Sequence, residues 1–380
     1  MAKVLPIEKQ KGIHAKITTT VKAFVAALKN THVPRKSTIP VLSYARVQDA
    51  TLVGTDLDVT TIVPFEGKGK GDFLIPHKQT LDVLTGETGN LVLEFHDTIG
   101  NVKSGKAEEG RRFVKLTVGD INFEFESLSV ANFPQIPKQA DAVLTIDGAA
   151  LKTMLERTDF AISHEKSRYT LNGTLLKASK GTVTMVATDG NRLSHVTGKG
   201  TGAIEDTLLL PTATRWVYKN CRGEVSIGLD ENTHTIRTES GTILSIKVTG
   251  QFPKYELVMP RDNTIITGFK SAKKFDNILK RIMKCSDERS GAINLLASET
   301  TTTISASSSE RGSAKADVEC NTVGLPGNGA VLQMGFNGDY ISDFLKVIPE
   351  GGFTLSLKDA QSAGMLQVDG FKYILMPMRL

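Results

Sequence analysis

Cysteine is scarce in this 380-residue chain: Cys221, Cys285 and Cys320 stand far apart. That spacing fits neither a disulfide framework nor a zinc-ligand pattern, and reads as reduced thiols of a cytosolic protein. Long apolar runs are missing too. No stretch approaches the roughly 18 residues that a membrane-spanning helix needs, and Met1-Ala2-Lys3-Val4 is not followed by a signal-peptide core. The seven histidines are scattered without HExxH spacing. There is no Gly-x-x-x-x-Gly-Lys-Ser/Thr phosphate loop, since Gly67-Lys68-Gly69-Lys70-Gly71 lacks that spacing, and there is no nucleophile elbow. These gaps leave little room for nucleotide hydrolysis or hydrolase chemistry and weigh towards a protein that is not an enzyme. Net charge is mild, +5, which permits a polyanionic partner without requiring one.

What is present is repetition. An amphipathic helix pattern (Val21, Phe24, Val25, Leu28) leads through strand-like runs to the turn Thr55-Asp56-Leu57-Asp58. A second (Leu151, Met154, Leu155) leads to Thr188-Asp189-Gly190. A third (Phe275, Ile278, Leu279, Ile282) leads to Ser307-Ser308-Ser309-Glu310. Such spacing places the apolar residues on one buried helix face. Equivalent turns stand 133 and 119 residues apart, a period of about one domain. Each third repeats internally: Phe73-Leu-Ile-Pro76 precedes a helix pattern over His77 to Leu84, Leu208-Leu-Leu-Pro211 precedes one around Thr214 to Asn220, and Val331-Leu-Gln-Met334 precedes one from about Asn337 to Leu345. Runs such as Val183-Thr-Met-Val186 and Phe353-Thr-Leu-Ser-Leu357 have strand composition. The expected fold is α+β: three similar domains, 1–140, 141–262 and 263–380, each holding two helix-plus-antiparallel-strand units. Phe133-Pro134-Gln135-Ile136 and Phe252-Pro253-Lys254-Tyr255 close the first two. The glycine-rich stretches Gly67 to Gly71 and Gly198 to Gly202 read as hairpin loops.

Three features bear on function. The carboxylates Asp56 and Asp58 admit half a metal site and hence a metal-dependent enzyme, but a turn whose Asp accepts nearby amides explains them and Asp189 together. The helix patterns are basic: Lys270, Lys273, Lys274, Lys280, Arg281 and Lys284 face one acid, Asp276, and Lys22, Lys29, Arg215 and Lys219 meet none. Each alone is a solvated face; recurring, they offer a positive surface that suits phosphates without sequence preference. Lastly, the chain ends Tyr373-Ile-Leu-Met-Pro-Met-Arg-Leu380. One reading is a final strand buried in its own sheet. Pro377 takes the last residues off the ladder, which suits an adaptable, methionine-rich peptide groove.

At these residues the chain resembles the bacterial sliding clamp, the β subunit of DNA polymerase III. The matching motifs are Thr38-Ile-Pro-Val-Leu-Ser43, Arg168-Tyr-Thr-Leu-Asn-Gly173, Ala187-Thr-Asp-Gly-Asn-Arg-Leu193, Gln251-Phe-Pro-Lys-Tyr255, Gly335-Phe-Asn337 and Leu375-Met-Pro-Met-Arg-Leu380, in family order along essentially the whole chain. The resemblance implies a head-to-tail homodimer closed into a six-domain ring around duplex DNA, helices inside and sheets outside, with no catalysis, no cofactor and no metal. A separate ATP-dependent loader opens the ring. A groove between the second and third domains takes short hydrophobic peptides of the polymerase α subunit, the loader and repair proteins. Its matching positions are Leu171, Thr188, Gly190, Arg192, Leu193, Pro253, Val258, Asn337, Tyr340, Ile374, Met376, Pro377, Met378, Arg379 and Leu380. Matching DNA contacts are Arg35, Lys36, Lys78, Arg168 and Tyr169. Three positions depart from the family: Leu257 where arginine is frequent, and Thr170 and Glu165 where an aromatic and an amide are found.

At the dimer interface the resemblance pairs a basic first-domain strand with an acidic third domain. Here Asp120, Glu124 and Glu126 flank the anchors Phe123 and Phe125, and Lys284, Arg311 and Lys315 oppose them. The charges are exchanged, which implies poor pairing with a conventional clamp. With a pI near 8.9, this leaves open a specialised accessory clamp. A non-ring peptide-binding scaffold is the alternative from another class.

Overall fold

The computed structural model describes residues 13–97, 111–327 and 329–379. The chain divides into two compact units, Met1–Ala142 with Val225–Ile246, and Val143–Glu224 with Lys247–Leu380. Both are helix pairs on antiparallel sheet, three sheet-rich domains in all, and the repetition in the sequence has physical counterparts in each.

Within the first unit, α1 (Val21–Asn30) and α2 (His77–Leu84) pack on one another. Helix α1 buries Val21, Phe24, Ala27 and Leu28, and each of the three larger side chains contributes about 1.5–3 kcal/mol. Phe24 meets Phe65 edge to face at 5.1 Å. A five-stranded sheet runs Gly67–Lys70, Ile13–Thr20, Asn90–Asp97, Arg112–Val118, Ile121–Glu126. A second series runs Thr233–Thr238, Gly241–Ile246, Val59–Pro64, Thr51–Thr55, Tyr44–Gln48, Asp72–Pro76. Val41, Leu42, Val53, Leu74 and Phe133 form a core cluster over it.

The second unit holds two helix pairs, α3 (Gly148–Glu156) with α4 (Pro211–Asn220) and α5 (Ala272–Ile282) with α6 (Gly338–Lys346). A twelve-stranded sheet backs them. It is made continuous by one pairing, in which Phe371–Leu375, the last strand, runs antiparallel to the start of Arg192–Lys199 with Leu193 opposite Ile374. The C-terminal strand is thus buried in a sheet as far as Leu375, and the chain leaves the ladder at Met376. The reading of a final strand buried in its own sheet holds as far as Leu375.

The first helix of each pair opens alike. The Ala23 amide donates to Thr20 Oγ1 at 3.2 Å, the Ala150 amide to Asp147 Oδ1 at 2.9 Å, and the Lys274 amide to Ser271 Oγ at 3.2 Å. Each cap satisfies one orphan donor, worth about 1 kcal/mol. Helix α2 occupies the expected span, whereas α4 starts at Pro211, because proline is preorganised for a first helical position. Lys270 precedes α5, and Lys284 follows it in a 3₁₀ turn.

The glycine-rich stretches are not loops. Gly67–Lys70 is an edge strand on Ile13–Thr20, and Thr201–Gly202 pairs with Leu144 and Thr145. The reason is close approach. A Cβ on Gly69 (φ +124°) would lie 2.0 Å from the Lys16 carbonyl oxygen, and one on Gly202 (φ +111°) 2.0 Å from that of Val143. No other residue fits either position.

Candidate functional site

Two turns share one template. In the first unit Thr55 Oγ1 donates to the Val59 carbonyl and accepts from the Leu57 amide, while Asp56 Oδ1 accepts from the Asp58 (3.1 Å) and Val59 (2.8 Å) amides. In the second unit Thr188 Oγ1 donates to the Arg192 carbonyl and accepts from the Gly190 amide, while Asp189 Oδ1 accepts from the Asn191 (2.9 Å) and Arg192 (3.1 Å) amides. These are Asx turns, as the sequence suggested. His32 Nε2 holds Asp56 Oδ2 at 2.7 Å, so both carboxylate oxygens are engaged. Burial pushes the Asp56 carboxyl up, but His32 and the two amides outweigh it and hold it below the usual range. Among the described residues no group of three or more His, Cys, Asp or Glu is placed to hold a metal.

The second turn is the centre of a larger construction. Arg192 Nε donates to Asp189 Oδ2 at 2.9 Å and Nη2 to the Phe160 carbonyl at 2.6 Å. Nη1 donates to Asp343 Oδ2 at 2.7 Å and to Tyr373 Oη at 3.4 Å. The guanidinium also lies 4.3 Å from the centre of the Tyr340 ring. Burial pulls the guanidinium down, yet Tyr373 and the carboxylates raise it above its ordinary value. Tyr373 is pushed up by its own burial. Asp343 and Tyr340 belong to α6, whose cap Asn337 accepts from the Asp339 (2.9 Å) and Tyr340 (3.3 Å) amides. One arginine therefore ties the turn, the last strand and α6 together.

Around this hub the predicted groove residues fall into three groups. Leu171, Leu193 and Ile374 are buried, and Leu193 and Ile374 lie in one cluster with Leu175, Val186 and Tyr255. Thr188, Gly190, Arg192, Asn337 and Tyr340 shape the backbone and one wall. Val258 (55% exposed) and Met376 (49% exposed) present apolar surface. The terminal segment is fastened at two points: the Met376 amide donates to the Asn191 carbonyl at 3.0 Å and the Met378 amide to the Gly335 carbonyl at 2.8 Å. Between them Pro377 is half-buried; Pro253 and Arg379 are exposed, and Leu380 lies outside the described residues. An apolar floor with few polar groups is the usual make-up of a peptide site. A cleft of about 880 Å³ is lined in part by Leu175, which belongs to the cluster of Leu193 and Ile374, and by Phe252, which packs against it.

Sequence reasoning did not find Arg192's partners Phe160, Asp343 and Tyr373, nor the support beneath the turn Tyr255–Leu257. There Lys177 Nζ reaches Glu256 Oε1 at 3.1 Å and lies 4.9 Å from the Tyr255 ring centre. Burial lowers that ammonium, but Tyr255 and Glu256 push it up to about 12.

The predicted DNA contacts fall in separate units. Arg35 and Lys36 are exposed after α1, and Lys78 is exposed at the start of α2. Arg168 and Tyr169 lie in the 3₁₀ turn Lys166–Leu171. Tyr169 is 56% exposed, whereas Arg168 is held by Glu165 at 3.0 Å and by the Asp189 carbonyl at 3.1 Å. The six helices carry eleven Lys or Arg against five Asp or Glu. The whole chain has 46 against 41, so its net positive charge resides in the helices.

The predicted interface residues lie on or beside two strands with open edges, apart from Lys284 in the 3₁₀ turn after α5. Ile121–Glu126 is an outer strand of the five-stranded sheet, with Phe123 and Phe125 half-buried and Glu124 paired to Arg111 at 2.9 Å. Asp120, just before it, is exposed. In Gly312–Val323, residues 320–323 pair with Ile266–Phe269. Residues 312–319 pair with Thr301–Ser308 on one side, and no second partner is found among the described residues. Lys315 and Lys284 are exposed there, and Arg311 contacts Glu288 at 2.5 Å.

Comparison with known proteins agrees with this geometry. Residues 145–254 match the central domain of the DNA polymerase III beta subunit, and residues 256–379 match its C-terminal domain. The beta sliding clamp of Pseudomonas aeruginosa is 28% identical over 368 residues, covering 92% of this chain and 95% of that protein. That of Chlamydia pneumoniae is 26% identical over 362 residues, covering 92% and 94%. The crystal structure of the P. aeruginosa clamp with ligand superposes with a TM-score of 0.84 at 25% identity, covering 97% of this chain and all of that one. The same clamp bound to griselimycin superposes with a TM-score of 0.84 at 26% identity, over 97% of this chain and all of that one. This chain belongs to the DNA polymerase III beta subunit family, the bacterial sliding clamps.

Proposed function

We propose that the chain is a DNA sliding clamp, a processivity factor that encircles duplex DNA without reading it and tethers polymerase and other replication or repair proteins. The observation that carries this is the concentration of positive charge in the repeated helices. Such a surface binds phosphates irrespective of sequence. Three domains follow one another, with boundaries near residues 140 and 262; the two matched domains, 145–254 and 256–379, support the succession and meet a few residues before the second boundary. Two chains join head to tail: the open edge at Ile121–Glu126 of one extends along the open edge at Gly312–Glu319 of the other, which removes both edges from solvent. Phe123 and Phe125 supply the apolar contact; Asp120 and Glu124 face Lys284, Arg311 and Lys315.

Arg35, Lys36, Lys78, Arg168 and Tyr169 meet the DNA backbone. The groove floored by Leu193 and Ile374 holds an extended apolar segment of the partner. The role is mechanical: a closed ring keeps its passenger at high effective concentration, with no bond made or broken and no cofactor or metal. The setting is the cytoplasm, where such a ring meets the chromosome. Two measurements test this. Light scattering across a dilution series is expected to give twice the chain mass of 41.1 kDa. Once loaded by its loader, the protein is expected to stay on nicked circular DNA and run off when the circle is cut. A stable single-chain mass at micromolar concentration, or equal loss from circles and linear DNA, overturns the proposal.

A further inference from the structure

Leu257 is 77% exposed, the most exposed large apolar side chain among the described residues. It does not sit on a loose loop. The turn Tyr255–Leu257 is closed by the Leu257 amide donating to the Lys254 carbonyl and the Val258 amide to the Tyr255 carbonyl, both at 3.1 Å. Tyr255 beneath is 5% exposed and packs in the cluster of Leu193 and Ile374 that floors the groove. Glu256 is held by Lys177 at 3.1 Å, and the Glu256 carbonyl accepts from Arg261 Nη2 at 3.5 Å. Val258 follows at 55% exposed. Two adjacent apolar side chains thus stand in water on a backbone pinned to the groove's own floor.

A pinned apolar surface loses little freedom when covered, so the ordering cost of covering it falls mainly on the incoming segment. Lys177 and Glu256 are committed to one another. Lys254 and Arg261 are both exposed, the latter 3.5 Å from the Glu256 carbonyl, and are the competing attraction, for a carboxylate. We infer that Leu257, with Val258, is a specificity residue: the segment this groove takes carries an apolar side chain just outside the part the groove holds, and that side chain packs on Leu257. The inference rests on the groove reading proposed above and adds to it the chemistry of the flank.

The test uses the full chain and fluorescein-labelled peptides. The core probe is Ser-Leu-Ser-Leu-Phe; four others extend it at either end by Ser-Leu or by Ser-Glu. Fluorescence anisotropy is expected to show one leucine extension binding about tenfold tighter than the core, the gain of one well-covered aliphatic side chain. In Leu257→Arg and Leu257→Ser that gain disappears, while core affinity stays within about twofold and the thermal midpoint is unmoved, as an exposed site requires. Leu257→Arg transfers the gain to the glutamate extension. The inference is overturned if neither leucine extension helps, if the gain survives both substitutions, or if glutamate already gives the larger gain in the unmodified chain through Lys254 or Arg261. Failure of the core probe to bind the unmodified chain is a separate result, which removes the groove reading and this inference together.

Discussion

The turns Thr55–Val59 and Thr188–Arg192 obey one hydrogen-bond template and serve different ends. In each, a threonine hydroxyl and an aspartate carboxylate close the backbone locally. Asp56 then stops at a single outside partner, His32. Asp189 passes through Arg192 to Phe160, Asp343 and Tyr373, residues 32, 151 and 181 positions from Arg192. The template is what makes the turns alike; the one basic side chain that follows Asp189 turns a local motif into the frame of a binding site. Substitutions that separate the two layers sharpen this contrast.

The largest effect is expected at Arg192. Its side chain is only 12% exposed, and Arg192→Ala strands the buried Tyr373 hydroxyl and leaves Asp343 with Lys346 alone, a loss of roughly 3 kcal/mol. Urea unfolding should show it, together with loss of binding of the apolar core probe. Arg192→Lys is expected to fall between, because an ammonium cannot reproduce the planar fork. His32→Ala, which removes the outside partner of the Asp56 carboxylate in the other turn, is expected to cost about 1 kcal/mol. Equal costs at the two positions would refute the distinction.

Removing the template itself should affect the two turns alike. Asp56→Ala and Asp189→Ala each leave two backbone amides without their acceptor, at about 1–2 kcal/mol apiece. Asp189→Ala is expected to weaken the apolar probe as well, since Asp189 also orients Arg192. Asp56→Ala should leave probe binding untouched. If the first substitution spares binding, the hub does not frame the groove.

A third contrast lies one residue further on. Leu57 holds φ +83° and Gly190 holds φ +95°. Leucine in the left-handed region costs about 1–2 kcal/mol relative to a residue without a Cβ. Leu57→Gly is therefore expected to stabilise the protein by about 1 kcal/mol, despite the added freedom of the unfolded chain. Gly190→Leu is expected to destabilise by a similar amount. A Cβ there would also come within 2.9 Å of Arg168 Nη1, the end of a long side chain that can move aside. Paired thermal melts give the opposite signs directly.

How much of this was legible beforehand follows the range of the interactions. Helix faces are local, so the i, i+3, i+4 apolar spacing located α1, α3 and α5, and the Leu-Ile-Pro phrase placed α2 on its observed span. The Asx turns are local as well, and two Asp residues in matching phrases were enough to suggest them. Arg192's partners lie on other strands and helices, and no spacing along the chain announces a bond across 151 residues. Gly67–Lys70 and Thr201–Gly202 read as loops because glycine is the usual mark of a turn. Here it marks an edge strand lying too close to its neighbour for any Cβ. Leu257 was visible as an unexpected leucine, but its exposure on a pinned turn needed the fold.

The smallest predicted effect concerns acid, and it isolates the first turn. Burial raises the Asp56 carboxyl, while the His32 hydrogen bond and the Val59 and Asp58 amides more than offset this, so the folded value lies below the unfolded one near 4. A depressed carboxyl stabilises the fold above its unfolded value, and the contribution is lost as pH falls through the folded value. The stability difference between the unmodified chain and Asp56→Asn should accordingly be constant above about pH 5 and shrink towards pH 3. The carboxylate is 24% exposed and its partner 25%, so solvent screens the pair and the change is of the order of half a kcal/mol. Urea titrations at pH 6, 4.5 and 3.5 resolve it if the first unit unfolds as a distinct transition. A difference that instead grows on acidification would mean that the amides and His32 do not favour the charged form, and that the turn is held by its backbone alone.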